Sequence, residues 1–133
     1  MKELKICKLY KINKSPNLIV GEVYQKFNLV FKRFFFITGK KNELRGGHAH
    51  KKQLQFMVCL KGACKLDFYD GKKKKTYSLN NNQKGIIVSP GIWSNQKYLK
   101  KNTILLVLCD KPYDEQDYIR NYDEFLKFKK KKK

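Results

Sequence analysis

Only two histidines occur in the chain, and they stand two positions apart, in Leu44-Arg45-Gly46-Gly47-His48-Ala49-His50-Lys51-Lys52. Side chains on a β-strand alternate with a period of two, so this spacing puts both imidazoles on one face. The glycines just before them permit an unusual backbone or the close approach of a ligand. Imidazole ordinarily titrates near pH ~6.5, so it can accept and return a proton at neutral pH. Two neutral imidazoles without a carboxylate make a weak transition-metal site. The pair is therefore read as proton-transfer groups, against the plainer alternative of histidines that only pack.

Such residues need a scaffold, and the sequence supplies strands. Apolar-rich segments recur at 4–10, 18–24, 30–38, 53–60, 63–69, 76–79, 85–89 and 103–109. Lys61-Gly62 is a hairpin signal, Asp70-Gly71 marks the next turn, and residues 80–82 are a polar asparagine loop. Strand after strand at close spacing predicts an all-β antiparallel sandwich or barrel. Only the C-terminus has a helical period: across 114–128, Tyr118, Tyr122, Phe125 and Leu126 fall at helical spacing, with Ile119 beside them. Asp114 is placed to cap that helix and Asp117 to complement its first turn. Lysines 129–133 read as a frayed, disordered basic tail, leaving 1–128 as a single domain.

The chain has 133 residues, 41% hydrophobic and 14% aromatic, enough for one core and too few for a two-domain enzyme carrying its own dinucleotide fold. The net charge is +20. Of 31 basic residues, 28 are lysine, and the runs 72–75 and 129–133 hold nine of them. Such charge favours anionic partners: nucleic acid, a membrane surface or phosphorylated small molecules. Specific nucleic-acid readers rely on arginine forks, and the arginines here are only Arg33, Arg45 and Arg120. The aromatics lie in apolar strand patterns rather than among the lysines, so no nucleic acid chain is expected as a partner. No apolar run approaches the roughly 20 residues of a membrane helix. Residues 1–11 lack a signal-peptide core. The expectation is a cytoplasmic protein without membrane insertion, its four cysteines reduced.

H-x-H in a small all-β chain resembles the first motif of the cupins, which His48, His50 and Gly62 match. The glutamate of that motif is replaced by Leu54 or Gln55. Gly85, Pro90 and Gly91 match the second motif, and Ser94 or Asn95 stands where its histidine would be. Cupin metal sites use three histidines and a glutamate, which this chain does not supply. The resemblance narrows to the sugar 3,4-ketoisomerases acting on dTDP-4-keto-6-deoxy-glucose. Lys32-Arg33-Phe34-Phe35-Phe36-Ile37 and Arg45-Gly46-Gly47-His48-Ala49-His50-Lys51 carry it, as do residues 58–64 and 113–125. This chain has Phe35 and Phe36 where members commonly have tyrosines, Ser15-Pro16 where many have Arg-Gly, and Trp93-Ser94 where many have Trp-His.

That resemblance implies a metal-free cupin, a small β-barrel or jelly roll with a short C-terminal helix, working without a cofactor. It implies homodimers with exchanged N-terminal strands. It also implies a product passed to a pyridoxal-phosphate aminotransferase, for 3-amino-3,6-dideoxyhexoses of surface polysaccharides such as lipopolysaccharide O-antigen. Moving a ketone from C4 to C3 needs only loss of the acidified C3 proton, an enediol or enediolate, and protonation of C4. His50 is the expected acid/base at carbon and His48 the orienting or oxygen-side partner; the reverse assignment stays open. Arg45 and Arg33 are candidates for the diphosphate, and Arg120 for a structural salt bridge. Trp93 is a candidate to stack on thymine or wall the sugar pocket, with core packing as its alternative. Phe36 and Ser94 complete the expected substrate-binding set. With Arg-Gly absent near Ser15-Pro16, the gluco-configured 3-keto product is expected. A cupin that binds a nucleotide sugar or another anion without turning it over is the competing function.

Overall fold

The structure is a computed structural model and describes residues 7–11, 30–80 and 84–131. Ten strands form two five-stranded antiparallel sheets among these residues. They are β1 (Cys7–Lys11), β2 (Arg33–Gly39), β3 (Leu44–His50), β4 (Gln55–Lys61), β5 (Cys64–Tyr69), β6 (Lys74–Leu79), β7 (Lys84–Val88), β8 (Trp93–Tyr98), β9 (Thr103–Cys109) and β10 (Tyr118–Ile119). The first sheet has the order β1-β7-β4-β9-β2 and the second β10-β3-β8-β5-β6. A 3-10 turn (Glu115–Asp117) precedes β10, and helix α1 (Tyr122–Lys131) follows it. This is the all-β architecture with a C-terminal helix that the sequence predicts.

Strand alternation builds the core. On β9, Leu105, Val107 and Cys109 are buried, whereas Ile104, Leu106 and Leu108 are half-buried on the other face. Met57, Cys59, Cys64, Leu66, Phe68, Leu105, Val107 and Tyr98 meet in the main core between the sheets. Central β4 is buried on both faces, because Phe56 and Val58 pack outward with Phe31, Ile87 and Leu108. At the β4–β5 hairpin Gly62 takes φ +84°, and a Cβ there would lie 2.8 Å from Thr103 Cα, so the turn needs glycine. Cys59, Cys64 and Cys109 are free and buried, and burial raises the Cys59 thiol to about 11 and the Cys64 thiol to about 12.

The C-terminal segment departs from the expected single helix. Asp114 does cap, but it caps the 3-10 turn, its carboxylate accepting from Gln116 N at 3.0 Å. Tyr118 and Ile119 are then extended and pair with β3. The helix starts only at Tyr122, with Asn121 Oδ1 accepting from Glu124 N at 3.1 Å as an N-cap contact. Its apolar face, centred on Phe125, covers Ala49, Trp93 and Ile119 on the outer face of the second sheet. Lysines 129–131 extend the helix beyond the boundary at 128, because they suit its negative C-terminal end and Lys129 Nζ donates to Gly91 O at 3.0 Å. Strand β8 was not foreseen: its sequence, Trp93-Ser94-Asn95-Gln96-Lys97-Tyr98, is polar yet lies between β3 and β5. The expected strand at 18–24 and the Ser15-Pro16 loop lie outside the described residues, as does most of the N-terminal segment expected to be exchanged.

Candidate active site

Strand β3 carries the histidines past a bulge. Gly46 pairs with Asn95 and His48 with Ser94, so Gly47 is the extra residue. Both glycines have left-handed backbones, φ +96° and +76°. A Cβ on Gly46 would lie 2.7 Å from Ser94 O, so a side chain there would push β8 away. Beyond the bulge alternation resumes. Ala49 joins the core beneath α1, while the His48 and His50 rings share the opposite face, 5.3 Å apart and nearly perpendicular.

His50 is buried and held through Nδ1. Its Nδ1 lies 3.1 Å from Asp117 Oδ2, and Asp117 also accepts from the backbone N–H of Lys52 at 2.7 Å and of Gln53 at 3.2 Å. An ionised carboxylate only accepts, so Nδ1 carries the proton and Nε2 keeps its lone pair. The side-chain amides of Gln53 and Gln55 each approach that Nε2 to 3.4 Å. Burial pushes the His50 pKa below its ordinary value, opposed by the hydrogen bond and charge of Asp117. His48 is lowered to about 4, chiefly by burial and further by His50 and Arg120. Both shifts favour the neutral ring over the imidazolium.

Tyr118 closes the other side. Its register partner is His50, so the two side chains project to the same face. Their rings are 4.2 Å apart, and the Tyr118 ring lies 5.2 Å from His48. Arg33 Nη2 donates to the Tyr118 oxygen at 3.2 Å, and the Arg120 guanidinium lies 4.3 Å from the ring centre. Arg120 forks onto Glu115 with two bonds of 2.8 Å, and Tyr113 OH donates to Glu115 at 2.7 Å. Those contacts, Arg120 first, hold the Glu115 carboxyl down at about 2.

His48, His50, Arg33 and Ser94 come together as expected, with buried Ser94 directly opposite His48 on β8. Three expected residues do not. Phe36 is 55% exposed on the outer face of β2, where it meets Phe34; the inward phenylalanine is Phe35, 5.0 Å from the Arg33 guanidinium. Trp93 alternates with Ser94 and so faces away from the histidines, packing against Tyr122 and Phe125 of α1. Arg45 sits toward the opposite end of β3, paired with Glu43 at 2.9 Å, and lines an open cleft of about 700 Å³ with Lys40, Lys41 and Lys101. Four contributors were missed as site residues: Asp117, Tyr118, Gln53 and Gln55. The acidic residue and the tyrosine stand in the C-terminal motif, where the spacing predicts a helix. Among the described residues no group of three or more His, Cys, Asp or Glu is placed to hold a metal. No described helix is long and apolar enough to cross a membrane.

In sum of chemistry, the cluster offers an oriented neutral base, a second imidazole, a phenol and a guanidinium around one interior face. The family model described as FdtA: WxcM-like, C-terminal matches residues 2–130. A TDP-4-oxo-6-deoxy-alpha-D-glucose-3,4-oxoisomerase of Aneurinibacillus thermoaerophilus is 36% identical over 118 residues, 88% of this chain and 85% of that protein. Among solved structures, a 3,4-ketoisomerase from Helicobacter canadensis superposes with a TM-score of 0.86 at 29% identity, covering 93% of this chain and 97% of its own. QdtA, a sugar 3,4-ketoisomerase from Thermoanaerobacterium thermosaccharolyticum solved with TDP, gives 0.85 at 31% identity, covering 98% of each chain.

Proposed function

The chain belongs to the FdtA, WxcM-like C-terminal family, and from that premise we propose that it is an isomerase moving the keto group of dTDP-4-keto-6-deoxy-glucose from C4 to C3. The observation that carries the mechanism is the His50–Asp117 pair, which leaves Nε2 as a base on the inner face. His50 takes the C3 proton, the electrons of that bond form the enediol or enediolate, and the imidazolium returns a proton to C4. Asp117 holds the ring's tautomer and offsets the positive charge that develops on it. His48 stands beside the sugar oxygens as a neutral hydrogen-bonding ring. Arg33 donates to Tyr118 and to Cys109, and a guanidinium's five N–H groups leave others for a diphosphate oxygen. No cofactor has a part in these steps.

The remaining elements of the reading are the gluco-configured product and its use by a pyridoxal-phosphate aminotransferase in making 3-amino-3,6-dideoxyhexoses. A homodimer is supported by the apolar outer face of the first sheet, where Phe34 and Phe36 are exposed opposite half-buried Leu108 and Leu106. The test is to incubate chelator-treated protein with dTDP-4-keto-6-deoxy-glucose and follow the sugar by NMR. Conversion to a 3-keto sugar with an equatorial C4 hydroxyl is expected. Binding without conversion would favour a non-catalytic nucleotide-sugar module, and rescue by added zinc or manganese would refute a metal-free site.

A further inference from the structure

Carbon is only half of the proton account in this isomerisation. As a proton moves from C3 to C4, another must leave O3 and one must reach O4. His50 serves the carbons, so a second group must serve the oxygens. A neutral imidazole such as His48 is a good hydrogen-bond donor but a poor acid, and burial beside His50 and Arg120 disfavours its protonated form.

Resting on the isomerase reading, we propose that Tyr118 is a catalytic acid/base that carries the oxygen-bound proton between O4 and O3. Three observations place it there. Pairing of β10 with β3 sets Tyr118 directly opposite His50 and on the same face. Its ring packs against the His50 ring with centroids 4.2 Å apart, which sets the phenol beside the base. Arg33 donates to the phenol oxygen at 3.2 Å. A guanidinium has no acceptor, so the phenol's own proton points elsewhere and is free for the substrate. The same guanidinium, with Arg120 against the ring, stabilises the phenolate left after transfer.

The steps balance. His50 Nε2 removes the C3 proton, and the C–H electrons become the C3–C4 double bond. The C4 carbonyl electrons move onto O4, which takes the Tyr118 proton. The phenolate then removes the O3 proton, the O3 electrons form the new carbonyl at C3, and the double-bond electrons at C4 take the proton from His50. Enzyme and protons return to their starting state.

This chain has phenylalanine at 35 and 36. Phe35, the inward one, has no hydroxyl and Phe36 faces outward, and Tyr118 is the phenol whose ring lies beside both imidazoles among the described residues.

The experiment compares wild type with Tyr118→Phe on dTDP-4-keto-6-deoxy-glucose in D2O. NMR follows exchange at C3 and formation of the 3-keto sugar, with TDP binding and thermal melting measured alongside. The phenylalanine keeps the ring against His50, so a purely packing role leaves kcat unchanged. A loss in kcat on the order of 10²–10⁴-fold is expected. C3 exchange should slow in parallel, because enolisation itself needs a proton on O4, while KM and TDP affinity stay within a few-fold. Turnover within threefold of wild type, or rapid C3 exchange persisting in the variant, would overturn the role of Tyr118 while leaving the isomerase reading standing. Failure of wild type to convert the sugar would overturn the isomerase reading and the proposal together.

Discussion

Replacing Asp117 with asparagine tests whether the base is made by its buried partner. The carboxylate accepts three bonds, from His50 Nδ1 at 3.1 Å, Lys52 N at 2.7 Å and Gln53 N at 3.2 Å. Asparagine has one acceptor oxygen and one NH2. If its oxygen stays on the Lys52 N–H, the NH2 takes the Oδ2 position, faces both Nδ1 and the Gln53 N–H, and favours the tautomer with hydrogen on Nε2, which abolishes the base. If its oxygen faces Nδ1, it keeps the Gln53 N–H as well, and the Lys52 N–H meets another donor. Either way the charge that would stabilise the imidazolium is gone. A hydrogen bond to a charged group is worth about 1.5–3 kcal/mol. At ~1.4 kcal/mol per decade this predicts a fall in kcat of about 10- to 150-fold, and a locked wrong tautomer carries the loss toward about 10⁴-fold. The assay is initial-rate NMR of the keto sugar, with TDP binding by calorimetry as a check on the fold. An Asp117→Asn protein that binds TDP normally and turns over within threefold of wild type would refute the dyad.

The other predictions concern the histidines and pH. His50→Asn should abolish solvent exchange at C3, with a loss on the order of 10²–10⁴-fold, whereas His48→Asn should retain slow exchange without completing isomerisation; the opposite pattern by NMR would reverse their roles. The folded protein binds protons on both rings less readily than an unfolded chain does, with His48 near 4. The acid limb of kcat/KM should therefore lie below the ~6.5 of an ordinary histidine, and a limb at or above 6.5 in a pH–rate profile would contradict the buried pair. By the same sign, unfolded histidines take up protons first as pH falls. Stability should decline from about pH 6.5 toward 4, read as a lower urea midpoint at pH 5 than at pH 7.

The strands were legible where burial is one-sided or complete, because apolar period two is what such burial writes into a sequence. Segment 103–109 coincides with β9, and 63–69 differs from β5 by one residue. Strand β8 escaped because its inward positions include Ser94 and Gln96, polar groups buried opposite the histidine strand. Its outward Trp93 is covered by a helix from the far end of the chain. A polar strand lining a polar interior carries no apolar period to read.

The site divides along the same line. His48 and His50 were found by residue type and spacing alone, and Arg33 by the scarcity of arginine. For Asp117 and Tyr118 the sequence predicts a helix and the structure has a turn and a strand, since the spacing of Tyr118 from Tyr122 suits a helix as well as it suits a strand that turns into one. What decides between them is tertiary: β10 exists only because β3 offers it an unpaired edge, and that edge ends at His50. Pairing puts Tyr118 across from His50 and lets the preceding turn swing Asp117 beneath the same ring. Two residues of strand thus supply both the group that orients the base and the phenol facing it. A further turn of helix there would have buried neither against the histidines. The cost to helix propensity is small, whereas the Asp117 hydrogen bonds and the burial of Ile119 beneath α1 are gained only in the extended form.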